Sequence, residues 1–247
     1  MCDEWMPLLQ LPMTEEQFKR LPRNAAYRYE YQDPVANLTP RPKHYHALLE
    51  LGPMQAEQLV AISPLQADQI MGLARLFAEA FRYIQPYGSL DDCTRLEAAR
   101  HGLERTRSGG DGPLIEQASF VARIEEQPVG AILVTLLPDG DPCNPESYYW
   151  AQPPPLDCIE RRLGRPHLTW IFVSPLEKGR GTGTSLLAAC VQQLRALGFT
   201  QLLSTFMAGN DSSMLWHWRN GFQLLPFPGS YRLMRQRWLQ GLHQGDA

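Results

Sequence analysis

Six residues, Lys178-Gly-Arg-Gly-Thr-Gly183, carry the clearest chemistry in this chain. Glycines let a backbone approach an anion closely, and their N–H groups can point one way. A helix that follows adds the positive end of its dipole. Lys178 and Arg180 add full positive charges to the same turn. The run His167–Val173 just upstream reads as a strand, and Leu186 to Leu197 downstream has helical apolar spacing. Strand, glycine turn and helix together form a holder for phosphate, so the expected ligand is phosphorylated. It is not a mononucleotide loop, because no Lys follows the last glycine. Nor is it the dinucleotide fingerprint, since a third glycine would fall at 184 or 186, where Thr and Leu stand.

The turn resembles the acetyl-CoA loop of the GNAT superfamily of N-acetyltransferases. That pattern is Gln/Arg-x-x-Gly-x-Gly/Ala, five residues after a strand-end valine, here Val173, with Lys178 the departure at its first position. A second segment agrees. Asn210-Asp-Ser-Ser-Met-Leu-Trp-His-Trp-Arg-Asn-Gly-Phe222 resembles the family's cofactor-side helix, which runs from an Asn to a Gly-Phe. Asp211 is the expected N-cap and Gly221 the left-handed residue that ends the helix. The resemblance implies acetyl-CoA as cofactor, with CoA as product and no metal. Its contacts would be Phe172, Val173, Lys178, Gly179, Arg180, Gly181, Thr182, Gly183, Thr184, Asn210 and Ser213.

Acyl transfer to an amine has its own requirements. An amine of pKa about 10.4 is disfavoured as the free base at pH 7 by about 4.6 kcal/mol, so a base or desolvation is needed. The tetrahedral oxyanion needs a donor, and the resemblance implies a backbone N–H at Phe172 or Val173. The same resemblance puts His167 where histone-type members carry a glutamate base, and His217 where the family has a tyrosine acid. Each also has a plainer reading. His167 can be a polar strand-start residue, and His217 a helix histidine between Trp216 and Trp218. The leaving thiol, with a pKa near about 8.5, needs little help from an acid.

Other residues invite weaker roles. His44 and His46 share one face of a strand and could bind a metal, but no further ligands lie nearby. Cys143 and Cys158 lack CxxC spacing and read as unpaired thiols. Glu79 could orient a cationic substrate or be solvated helix surface. Tyr148, Tyr149 and Trp150 could wall an acceptor site or anchor their loop.

The elements that must position these residues are set by pattern. Of the 247 residues, 1–54 read as an N-terminal extension in which Ala26–Tyr31 and Ala36–Thr39 form a β-hairpin around Gln32-Asp-Pro-Val. Residues 55–237 read as the acetyltransferase-like domain and 238–247 as a tail. A strand at Leu59–Ile62 is expected to lead, through a Ser63-Pro-Leu-Gln66 capping box, into a helix ending near Tyr83. A second helix starts at Ser89–Asp92 and ends before Gly109-Gly110. A hairpin of Phe120–Ile124 and Gly130–Leu137 comes next, and then a Pro-rich loop from 138 to 166. Phe222–Leu225 and Tyr231–Met234 suggest a closing strand pair. Over roughly residues 56–236 this order resembles the GNAT fold. The fold class is thus α+β: a mixed, mostly antiparallel sheet flanked by helices, with one splayed parallel strand pair.

A net charge of −3 and a pI near 6.1 give no reason to expect nucleic acid or a membrane as partner. Five scattered cysteines and an acidic start point to a reducing, cytoplasmic setting, as monomer or homodimer. The function expected is an N-acetyltransferase moving acetyl from acetyl-CoA to a primary amine by direct attack in a ternary complex. The alternative is a non-catalytic acyl-CoA-binding or interaction module on the same fold. The acceptor, a small molecule or a peptide, stays open.

Overall fold

The computed structural model describes residues 9–21, 27–40, 44–57, 60–84, 86–137, 155–207 and 209–225. The tyrosine alternation forms β2 (Tyr27–Gln32), which turns at Asp33-Pro34 into β3 (Val35–Pro40). β1 (Leu9–Pro12) pairs with the other edge of β3. Helix α1 (Glu15–Arg20) is capped reciprocally by Thr14 and Gln17 and stacks Phe18 on Tyr31 at 5.2 Å. Ala36 and Leu38 of this small sheet are buried in a cluster that also takes in Leu90 and Met207, so the module leans on the main body.

The main sheet has seven strands: β4 (His44–Glu50), β5 (Ala61–Pro64), β6 (Phe120–Ile124), β7 (Gln127–Leu137), β8 (Arg165–Val173), β9 (Gln201–Met207) and β10 (Gln223–Leu224). Their order is β10-β4-β9-β8-β7-β6-β5. All pairs are antiparallel except β8 with β9. The sheet therefore takes β4 from the N-terminal stretch and inserts it between β9 and β10. The expected strand at 231–234 lies outside the described residues; among those described, β10 pairs with β4, Gln223 opposite Leu48.

The first long helix also differs from expectation. Ser63 and Pro64 end β5, and this is an edge strand, where proline costs no ladder bond. The chain then enters a 3-10 turn, Ala67–Leu73, capped reciprocally by Gln66 and Gln69, and after it a short helix α2 (Ala74–Ala80). One face of this stretch is apolar and packs inward, with Ile70, Leu73, Ala74 and Phe77 buried. Helix α3 (Asp92–Arg107), capped by Asp91, ends before Gly109 as expected. Together α2 and α3 cover one face of the sheet, over Val121, Ala131, Leu133 and Phe172. Helix α4 (Thr182–Ala196) covers the other with Leu186, Leu187, Cys190, Val191 and Leu194, against Ile132, Val134, Leu168 and Leu202. Helix α5 (Asp211–Arg219) comes after β9 on that second face.

Candidate active site

The parallel ladder of β8 and β9 consists of His167 opposite Leu203 and Leu168 opposite Ser204. From Thr169 onward β8 continues to Val173 with that edge unpaired by β9, so the strands part at their carboxyl ends. On the other edge of β8 a bulge makes Thr169 an extra residue, since Leu133 faces Trp170 while Val134 faces Leu168. The Ser174 N–H donates to Val129 O at 2.7 Å, on the β7 side. Backbone alternation then turns the N–H of Phe172 toward β7 and that of Val173 toward the parting.

Beyond Val173, Ser174 opens a short 3-10 turn, Pro175–Glu177, which leads into the glycine segment. Gly179 and Gly181 adopt φ of 83° and 86°, which L side chains avoid. Gly181 is the N-cap of α4 and supplies no side-chain cap, so the first amides of the helix face outward without a capping oxygen. Thr182 Oγ1 is buried there without a hydrogen-bond partner. Lys178 is exposed, and Arg180 is paired with Glu177 at 3.1 Å on the surface. A Cβ at Gly183 would lie 3.1 Å from the Trp216 indole nitrogen, so the start of α4 packs closely on α5. Thr184 sits in the same first turn. These features fit the phosphate end of a CoA: open glycines, uncapped amides, flanking cations and an orphaned hydroxyl.

On α5 the N-cap is Asn210 and not Asp211. Its Oδ1 accepts from the Ser213 N–H at 3.1 Å, which leaves Asp211 as the first helical residue. Gly221 takes the left-handed conformation, φ 84°, as expected of the residue that ends the helix. His217 is 2% exposed. Its Nδ1–H donates to Ser213 O at 2.7 Å, so Nε2 accepts from the Ser204 hydroxyl, also at 2.7 Å. The ring stacks on Phe206 at 4.4 Å. Burial lowers its pKa to about 4, leaving it neutral at pH 7.

His167 lies on the opposite face of the sheet, so the two histidines do not share a pocket. It is part-buried, with Nε2 3.0 Å from Thr205 Oγ1 and Nδ1 3.1 Å from Thr169 Oγ1. Burial, with the charges of His46 and His217, lowers its pKa to about 3. His46 places Nδ1 3.0 Å from the same Thr205 oxygen. Thr169 in turn meets Thr135 at 2.8 Å, and Thr135 donates to Asp111 O at 2.7 Å. The Asp111 carboxylate is held by Arg105 at 2.8 Å and Thr106 at 2.7 Å. Sequence reasoning missed Thr135, Thr169 and Thr205. The available signals were the two-residue spacing of His167 and Thr169 and a lone polar residue within the apolar β7.

Of the weaker candidates, Glu79 is exposed on α2 and Cys158 is a buried free thiol. Cys143, Tyr148, Tyr149 and Trp150 lie outside the described residues, as does the side chain of His44. Among the described residues no helix is long and apolar enough to cross a membrane, and no group of three or more His, Cys, Asp or Glu could hold a metal ion.

Several solved structures are similar. The PaiA N-acetyltransferase from Thermoplasma acidophilum, in complex with coenzyme A, matches at 13% identity and TM-score 0.46, over 69% of this chain and 94% of that one. A GCN5-related N-acetyltransferase from Ralstonia eutropha JMP134 matches at 18% identity and TM-score 0.43, over 68% and 94%. The aminoglycoside enzyme AAC(6')-Iy, with the bisubstrate analogue CoA-S-monomethyl-acetylneamine, matches at 20% and 0.41, over 66% and 90%. No curated protein matches the sequence significantly. The sequence model described as Acetyltransferase (GNAT) family matches residues 70–222, from the 3-10 turn before α2 to just past α5. With more than half of its length matched, the chain belongs to the GNAT acetyltransferase family.

Proposed function

We propose that this protein is an acetyl-CoA-dependent N-acetyltransferase acting on a primary amine by direct attack in a ternary complex. The observation that carries the proposal is the parting of β8 from β9 beside an uncapped helix start that holds the orphaned Thr182 hydroxyl. Residues 179–184 would hold the pyrophosphate, with Lys178 and Arg180 adding charge and Phe172, Val173, Asn210 and Ser213 lining the cofactor's course. When bound, acetyl-CoA supplies an acetyl group activated as a thioester.

The chain's own groups then divide the work. The Val173 N–H, on the edge of β8 turned away from β7, donates to the oxyanion. His167, neutral at pH 7, stands beside the parting as the proton acceptor. We read His217, enclosed with both nitrogens engaged, as tying α5 to β9 through Ser204, while the thiolate leaves without its proton. That both histidines are already hydrogen-bonded favours a second reading, an acyl-CoA-binding module without turnover.

Thermal unfolding with acetyl-CoA, against adenosine and pantetheine controls, tests the site. Ligand at a hundredfold over Kd should add about 2.7 kcal/mol, or about 5–10 °C in midpoint. No shift at millimolar ligand would remove both readings. A shift without thiol release across a panel of amines would select the binding module.

A further inference from the structure

A hydrogen-bonded ladder crosses four neighbouring strands, from His46 on β4 through Thr205 on β9 and His167 and Thr169 on β8 to Thr135 on β7. It ends on a backbone carbonyl, Asp111 O, which can only accept. That end sets the direction of every hydrogen. Thr135 has one hydroxyl hydrogen and gives it to Asp111, so Thr169 gives its own to Thr135 at 2.8 Å, shared with the longer contact to His167 O at 3.3 Å. Its own hydrogen being used, Thr169 accepts from His167 Nδ1–H. A neutral His167 then has a lone pair at Nε2, and Thr205 donates into it. Thr205 has no second hydrogen, so His46 Nδ1–H donates to Thr205.

We propose that Thr135 and Thr169 are positioning residues: anchored on the Asp111 carbonyl, they hold His167 as its Nδ1–H tautomer. Nε2, beside the parting of β8 and β9, is thereby its one basic nitrogen. The role rests on the reading of His167 as proton acceptor. Nε2 takes its proton through Thr205, whose hydroxyl occupies that lone pair: the Thr205 O–H bond breaks as Nε2–H forms, the amine N–H bond breaks as a new Thr205 O–H forms, and Thr205 Oγ then accepts from Nε2–H. Nδ1 keeps its bond to Thr169 throughout. The bulge matters here, because the extra residue is Thr169 itself, set on the same face as His167. Asp111 is fixed independently, through Arg105 and Thr106. Free imidazole in peptides favours the other tautomer, Nε2–H, so the arrangement is distinguishable from a histidine merely packed in a sheet.

The test uses full-length protein with 15N-labelled histidine, reading two-bond imidazole correlations at pH 7.5 and assigning His167 by the signals lost in His167→Gln. The expected wild-type pattern is Nδ1–H at His167 and at His46. Thr135→Val keeps the side-chain shape but breaks the ladder, and should convert His167 to a mixture containing Nε2–H; Thr135→Ser should restore it. With an active amine, Thr135→Val should lower kcat about tenfold with KM for acetyl-CoA unchanged. Thr169→Val, at a part-exposed position, serves if the buried Thr135→Val does not fold. An Nε2–H His167 in the wild type, or valine variants with wild-type signals, would overturn the ladder even if acetyl transfer stands. The expected tautomers in a protein that transfers no acetyl group would uphold the ladder and reject the enzyme reading.

Discussion

His217 and His167 give the protein a built-in acid sensitivity with a definite sign. An unfolded histidine titrates near 6.5, whereas burial holds His217 near 4 and His167 near 3 in the folded chain. Above pH 6.5 both states are neutral and nothing depends on pH. As pH falls from 6.5 toward 4, only the unfolded chain takes up these protons, so folding loses about 1.4 kcal/mol per pH unit for each group. Urea unfolding at pH 7.5, 6 and 5 should show this decline, and His217→Gln should have a shallower slope. Equal slopes would remove His217 as a source. That both positions hold histidine was legible in the sequence, because the count from Val173 and from Asn210 is local. Their surroundings were not. Ser204, Thr205 and Thr135 reach them only through the pairing of strands far apart in the chain.

At the scale of the element, the turn from β8 into α4 was the most legible part, since a run of residues on one stretch of chain dictates it. Gly181 both bends the backbone and starts the helix, at φ 86°, with nothing within 4 Å of where a Cβ would stand. Gly181→Ala therefore meets a conformational penalty with no clash, worth about 1–2 kcal/mol. Calorimetric titration should show weaker acetyl-CoA binding, with a melting loss no larger than that penalty implies. Unchanged affinity would mean that the turn is not the phosphate holder. Elements whose ends depend on neighbours are less legible. Pro64 suits a helix start and an edge strand equally, and only the sheet order decides for the strand. Asn210 and Asp211 are both good caps, and the bond from Ser213 N–H chooses the first.

At the scale of the whole molecule, the seven-stranded sheet draws one strand from the N-terminal stretch. β4 lies outside the family-matched span and yet sits inside the sheet, with Ala47 fully buried and Leu49 nearly so between β9 and β10. Removing residues 1–41 should leave a folded protein that has lost only the small sheet covering Leu90 and Met207. Removing 1–52 should strip the edge of β9, expose the core at Leu202 and Phe206, and yield aggregate; circular dichroism melts of the two fragments would check this. A cooperative, wild-type melt from the shorter fragment would make β4 dispensable. No sequence pattern announced its place, because a strand's partner is set by global topology and not by its own alternation. The same insertion orders events in time. β4 leaves the ribosome before β9, and Glu50 must wait for Gln201, 151 residues later, before its edge is satisfied. Until then its inward-facing Ala47 and Leu49 form an open strand edge on a nascent chain. Closing so long a loop raises the contact order and slows folding. During synthesis residues 44–50 thus stay unpaired on this edge until β9 emerges, and would offer a holding chaperone a target.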